Sequence, residues 1–178
     1  MLVNTSTCST RASPGKARLD GGQPRRYPAC VRTREALAQY FERRGIKPEA
    51  ESIDAWLREN WAYMNVGGHR IPMKPLYGYK KVVILHDVHH LLTGYDTDWT
   101  GEMEVAAWEL GSGGCGPYWL MWGNRLFAFL VFGLLTAPRA ALRAFRRGRT
   151  QRNLYWFDCS EVLLRDIEDL RRYVAPAV

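Results

Sequence analysis

The chain is poor in cysteine, and what it has is scattered. Cys8, Cys30, Cys115 and Cys159 form no Cys-x-x-Cys pair, which excludes a thiolate zinc site or a dithiol redox motif. Separated cysteines in a chain of 178 residues are expected as free thiols in a reducing compartment. Histidine is as scarce, with only His69, His86, His89 and His90. No stretch alternates apolar and polar residues as a half-buried strand does, and no internal repeat is visible. The most hydrophobic segment, Tyr118 to Thr136, has a charge-free core only from Leu126 to Leu135. A run of that length falls short of the roughly 20 residues needed to cross a bilayer, so a buried or interfacial helix is expected there. The N-terminus shows no secretory h-region.

Acid is also lacking at the start. Asp20 is the only acid in residues 1–30, amid Ser, Thr, Gly, Pro and Arg. That composition buries too little apolar surface to offset the entropy of ordering, so 1–30 is expected to be a disordered leader. A mitochondrial transit peptide shares the Arg and Ser bias, but Pro and Gly spoil its amphipathic helix.

What is present fits one domain over 31–178, with 47% hydrophobic and 24% charged residues. The formal net charge is +7, and arginine far outnumbers lysine. A basic balance allows anionic partners such as nucleic acid, acidic lipid or a carboxylate substrate. The arginines cluster at Arg139, Arg143, Arg146, Arg147, Arg149 and Arg152, without the aromatic alternation of a single-strand platform. Nucleic acid is therefore not expected. A basic cluster after an apolar segment suits an interfacial helix on anionic lipid.

Helical periodicity runs through most of the domain. Leu37, Tyr40 and Phe41 share a face, with Gly45 placed to end that helix. Pro48 opens a second helix whose stripe continues through Trp56, Leu57, Trp61 and Met64, and Val66-Gly67-Gly68 breaks it. Ile71 to Tyr77, with two prolines, reads as a loop. Gly78 to Thr93 reads as a helix capped by Gly94, and a further helix covers Glu102 to Leu110. A basic loop follows Pro138, and Glu161 to Tyr173 is a last amphipathic helix. The expected fold is an all-α, single-domain helical bundle with a metal site between two consecutive helices.

The chemistry gathers at His86-Asp87-Val88-His89-His90 and at Glu102. On a helix His86 and His90 lie one turn apart on one face, and Asp87 is three residues from His90. Imidazoles and carboxylates converging on one point are what a divalent ion requires; zinc, iron or manganese all suit this donor set. The bland alternative, a surface or satisfied-core His-x-x-x-His, weighs about equally. His89 points elsewhere. A zincin protease needs Glu where Asp87 stands. A His-Asp phosphohydrolase needs further histidines, and only His69 remains.

His86-Asp87-x-x-His90, eleven residues, then Glu102 resembles the signature of the fourth protein family of coenzyme Q (ubiquinone) biosynthesis. Leu92-Thr93-Gly94-Tyr95, Thr97-Asp98 and Gly101-Glu102 extend the likeness, as do Arg146-Arg147-Gly148, Tyr155-Trp156-Phe157-Asp158 and Val162-Leu163-Leu164. The likeness spans roughly 33 to 174. It departs at the apolar approach Val82-Val83-Ile84-Leu85 and at Asp158-Cys159-Ser160, where an Asp-Trp-acid turn is usual.

The resemblance implies an all-helical peripheral membrane protein that binds polyprenyl lipid. It implies a metal held by His86, Asp87, His90 and Glu102, which would then be the catalytic residues through that metal. It implies a metal-dependent decarboxylase that replaces the ring carboxylate of a polyprenylated hydroxybenzoate with a hydroxyl. The alternative is a non-catalytic, lipid-presenting scaffold with a structural ion. Implied partners are a polyprenylated quinone precursor, a membrane surface and other quinone-biosynthesis proteins; a homo-oligomer is also allowed. The implied location is the cytoplasmic face of a bacterial membrane, or the matrix side of the mitochondrial inner membrane. Trp56, Trp61, Trp119, Trp122, Phe127, Phe129 and Phe132 are the candidate surface for the lipid tail.

Overall fold

The computed structural model describes Tyr27 and residues 30–44, 53–66 and 69–176. The expected leader, the Gly45 stop, the Pro48 start and the Gly67-Gly68 break lie outside the described residues, Tyr27 and Cys30 apart.

The fold is an all-α bundle. Among the described residues its helices are α1 (Thr33–Arg44), α2 (Ile53–Arg58), α3 (Tyr79–Thr93), α4 (Trp99–Gly111), α5 (Asn124–Thr136), α6 (Pro138–Gly148), α7 (Cys159–Leu164) and α8 (Ile167–Val174). One antiparallel hairpin interrupts the pattern, β1 (Ala62–Val66) on β2 (His69–Met73), in register from Ala62 opposite Met73 to Val66 opposite His69. Here the expectation of a second helix reaching Met64 is corrected, as is that of a loop from Ile71. The helix ends at Arg58, and Ala62 and Val66 find ladder partners in β2, a pairing that helical periodicity does not register.

The core is built around α3, whose Val82, Leu85, Val88, Leu91 and Leu92 are buried against α1, α4, α7 and α8. Gly94, at φ 80°, ends α3 in the left-handed conformation and donates its N–H to the His90 carbonyl. Asp98 caps α4 through the Gly101 N–H at 2.8 Å. Helices α4 and α6 cross closely: a Cβ at Gly148 would sit 2.2 Å from the Trp108 carbonyl oxygen.

Two further expectations change. The stretch after Pro138 is a helix, not a loop: Ala141, Ala144 and Gly148 are buried while Arg139, Arg143 and Arg146 face outward. The last amphipathic stretch is two helices. Arg165 is extended at ψ 155°, and its carbonyl accepts the Thr33 N–H at 2.9 Å. The Ile167 N–H reaches the Val31 carbonyl, and Asp166 caps α8. Pairing with the chain before α1 overrides the helical period.

The apolar segment is longer than its charge-free core implies. A 3-10 turn (Gly116–Tyr118) and a π turn (Trp119–Gly123) run into α5, giving 21 continuous residues from Gly116 to Thr136. That is long and apolar enough to cross a membrane by length and composition, and only 22% of its most apolar stretch is buried. Leu120, Phe127 and Leu135 are exposed, so a wholly buried helix is ruled out.

Candidate metal centre

Helix α3 carries His86 and His90 on one face, with ring centroids 4.9 Å apart and planes perpendicular. The first turn of α4 places Glu102 opposite them. Glu102 Oε2 lies 3.3 Å from His86 Nε2, and Glu102 Oε1 lies 3.3 Å from His90 Nε2. One ligand atom from each of the three residues falls within a mutual 4.8 Å, a spacing that can hold a metal ion. Both histidines are buried and Glu102 is half-buried.

The hydrogen bonds outside this triangle decide where the imidazole lone pairs go. His90 Nδ1 donates to the Tyr95 carbonyl at 3.2 Å, a contact in which the carbonyl can only accept. His90 Nε2 therefore carries the lone pair, and it is buried without a hydrogen bond. The Leu154 N–H donates to His89 Nε2 at 3.0 Å, so His89 Nδ1 carries its proton and donates to Glu109 Oε1 at 2.7 Å. His86 Nδ1 donates to the same oxygen at 3.0 Å, and the Tyr155 hydroxyl does so at 2.7 Å. With its Nδ1 proton given to Glu109, a neutral His86 also turns its Nε2 lone pair toward Glu102. Two nitrogen lone pairs and a carboxylate face one another, an arrangement that calls for a cation.

The charge states say the same. Burial works against a charge on His86, but the Glu109 carboxylate and the bonds to Glu102 and Glu109 outweigh it and push its pKa up to about 10. Without a metal ion, a proton on His86 supplies the missing cation. Burial raises the carboxyls of Glu102 and Glu109, yet hydrogen bonds and charge from the histidines hold both well below the usual range. Burial lowers His89, keeping it neutral.

Of the sequence-predicted residues, His86, His90 and Glu102 come together. Asp87 is half-buried beside them. Burial pushes its pKa up to about 6 against the pull of His86 and His90, but its carboxylate is not among the gathered ligand atoms. His89 turns into the core, as its position on the helix requires.

Sequence reasoning missed Glu109, Tyr155 and Arg125. Glu109 stands seven residues after Glu102, two turns along the same face of α4, and that spacing was the available signal. Arg125 interrupts an apolar run, and its Nη2 donates to Glu102 Oε2 at 3.1 Å.

No family model, no curated protein and no solved structure matches the chain. Fold and site define the class directly: an all-α bundle with a buried two-histidine, one-glutamate group that can hold a metal ion.

Proposed function

We propose that this is a metal-dependent protein of ubiquinone biosynthesis that decarboxylates and hydroxylates the ring of a polyprenylated hydroxybenzoate. The observation that carries the metal is the buried, unbonded Nε2 of His90 facing Glu102. The pathway and substrate rest on the resemblance of His86-Asp87-x-x-His90 and Glu102 to the quinone-biosynthesis signature.

The donor set fits zinc, iron or manganese. His86, His90 and Glu102 would hold the ion from one side and leave a position open; Asp87, which the resemblance names as a fourth donor, stands beside them outside the gathered ligand atoms. A divalent ion there supplies Lewis-acid stabilisation of negative charge on the substrate's oxygens. Glu109 keeps the His86 imidazole in the tautomer that presents Nε2, and the Tyr95 carbonyl does the same for His90. The ring–carboxyl bond would break and a ring–oxygen bond form, so that the acid, one molecular oxygen and one water give the phenol, carbon dioxide and hydrogen peroxide, the substrate supplying both electrons. The tail lies on the apolar surface of α5, where Phe127 and Phe132 are exposed and Phe129 stacks on Trp99. That face, with the outward arginines of α6, rests on an anionic membrane, which is where a polyprenyl substrate resides.

The alternative is a lipid-presenting scaffold in which the ion only braces α3 against α4. It is favoured if Asp87 closes a four-protein shell, since a catalytic ion keeps an open position. Carbon dioxide release from a prenylated hydroxybenzoate separates the two. The enzyme reading requires release by the wild type and loss of it in His90→Ala; a metal-loaded wild type that releases none leaves the scaffold.

A further inference from the structure

We propose that Arg125 is the carboxylate receptor of this site, taking the acid group of an amphiphilic aromatic acid whose ring lies against His86, His90 and Glu102. The inference rests on the functional reading above and names the residue that would select an acid over its decarboxylated counterpart.

Arg125 stands in the first turn of α5 and brings a fixed positive charge to the rim of the site. Its Cζ lies 4.3 Å from the ring centre of Trp122 and 5.1 Å from that of Phe129. The Trp122 ring in turn packs edge-on against His86 at 5.5 Å. Two aromatic rings and the Nη2 bond to Glu102 thus hold the guanidinium in place. That bond, at 3.1 Å, is the only hydrogen bond its guanidinium makes among the described residues. The side chain is 38% exposed, so solvent and a ligand can reach it. Arginine keeps its charge and offers a planar fork that matches a carboxylate.

Charge bookkeeping gives the sign of the ligand. Two neutral imidazoles and Glu102 contribute one negative charge, and a divalent ion leaves the group with one positive. Arg125 adds a second. An ionised Asp87 removes one and the Glu109 carboxylate behind His86 the other, so the group is neutral overall and the fixed charge that favours an anion is the guanidinium itself, at the rim. The apolar part of such an anion has a wall ready. Phe129, beside Arg125, stacks on Trp99 at 6.3 Å. Trp99, Met103 and Phe132 line a cleft of about 370 Å³, and Met103 directly follows Glu102. Phe129, which touches both the Arg125 guanidinium and the Trp99 ring of the cleft, links the place of the acid head to that of the apolar body.

The plain alternative is that Arg125 only neutralises Glu102, and it is separable. Calorimetric titration of the full chain, zinc-loaded and zinc-free, would compare a geranylated para-hydroxybenzoate with the corresponding geranylated phenol. The wild type is expected to bind the acid about 10-fold or more tighter than the phenol. Arg125→Gln should keep its zinc and its phenol affinity and lose that preference, and Arg125→Lys should recover part of it. The same preference in Arg125→Gln as in wild type overturns the proposal, as does a wild type that binds both ligands equally or neither. Wild type without zinc overturns the metal reading instead, and the acid preference of the zinc-free chain still decides the role of Arg125.

Discussion

Three donors converge on one oxygen of Glu109, from His86, His89 and Tyr155. Charge-assisted bonds of this kind are roughly twice as strong as neutral ones, and here all members are buried. The consequence reaches the ion site, because a neutral His86 whose Nδ1 proton is committed to Glu109 has only Nε2 to offer. It also sets a pH dependence for the metal-free protein. The folded-state pKa of His86 is raised from 6.5 to about 10. A raised value means that the stabilisation is fully present below pH 6.5 and is lost as pH climbs through 10. Metal-free protein should therefore lose denaturant resistance between those limits, and urea midpoints at pH 6, 8 and 10 measure it. His86→Gln should flatten that slope; a wild-type midpoint that does not fall across the range would contradict the assignment.

At the scale of elements, α5 and α6 form the surface that distinguishes this bundle. Leu120, Phe127 and Leu135 are exposed on the long apolar segment, and Arg139, Arg143 and Arg146 face outward on the next helix. Apolar contact plus basic charge predicts vesicle binding that weakens with salt. In flotation assays on anionic vesicles, Leu120→Glu combined with Leu135→Glu should abolish association, and binding indifferent to both charge and salt would count against the surface. This helix pair was only partly legible in the sequence. Length and the Gly94 cap marked α3, a one-sided apolar stripe marked α4, and an uninterrupted apolar run marked Leu126–Leu135, of which α5 buries only Leu126 and Gly133. Apolar periodicity did not mark α6, whose buried face is Ala141, Ala144 and Gly148, small residues that carry little hydrophobic signal but let α4 approach. It missed the hairpin, whose pairing depends on a partner strand rather than on local pattern. It fused α7 to α8, because the break at Arg165 is made by hydrogen bonds to Val31 and Thr33, more than 130 residues away. The site divides in the same way. His86 and His90 follow from helical spacing and Glu102 from the spacing of the signature, whereas Glu109, Tyr155 and Arg125 enter through tertiary contacts.

For the whole molecule, the group of His86, His90 and Glu102 that can hold a metal ion bridges α3 and α4. The core behind it runs from Leu37 on α1 to Leu170 on α8, and the apolar segment lies outside it. An ion bound only by the folded state stabilises that whole arrangement in proportion to its affinity. The direct test is metal content by elemental analysis of the purified wild type beside His90→Ala and Glu102→Ala, each shown to be folded by circular dichroism. The account predicts about one divalent ion per chain in the wild type and none in either variant. Metal retained in both variants would contradict it.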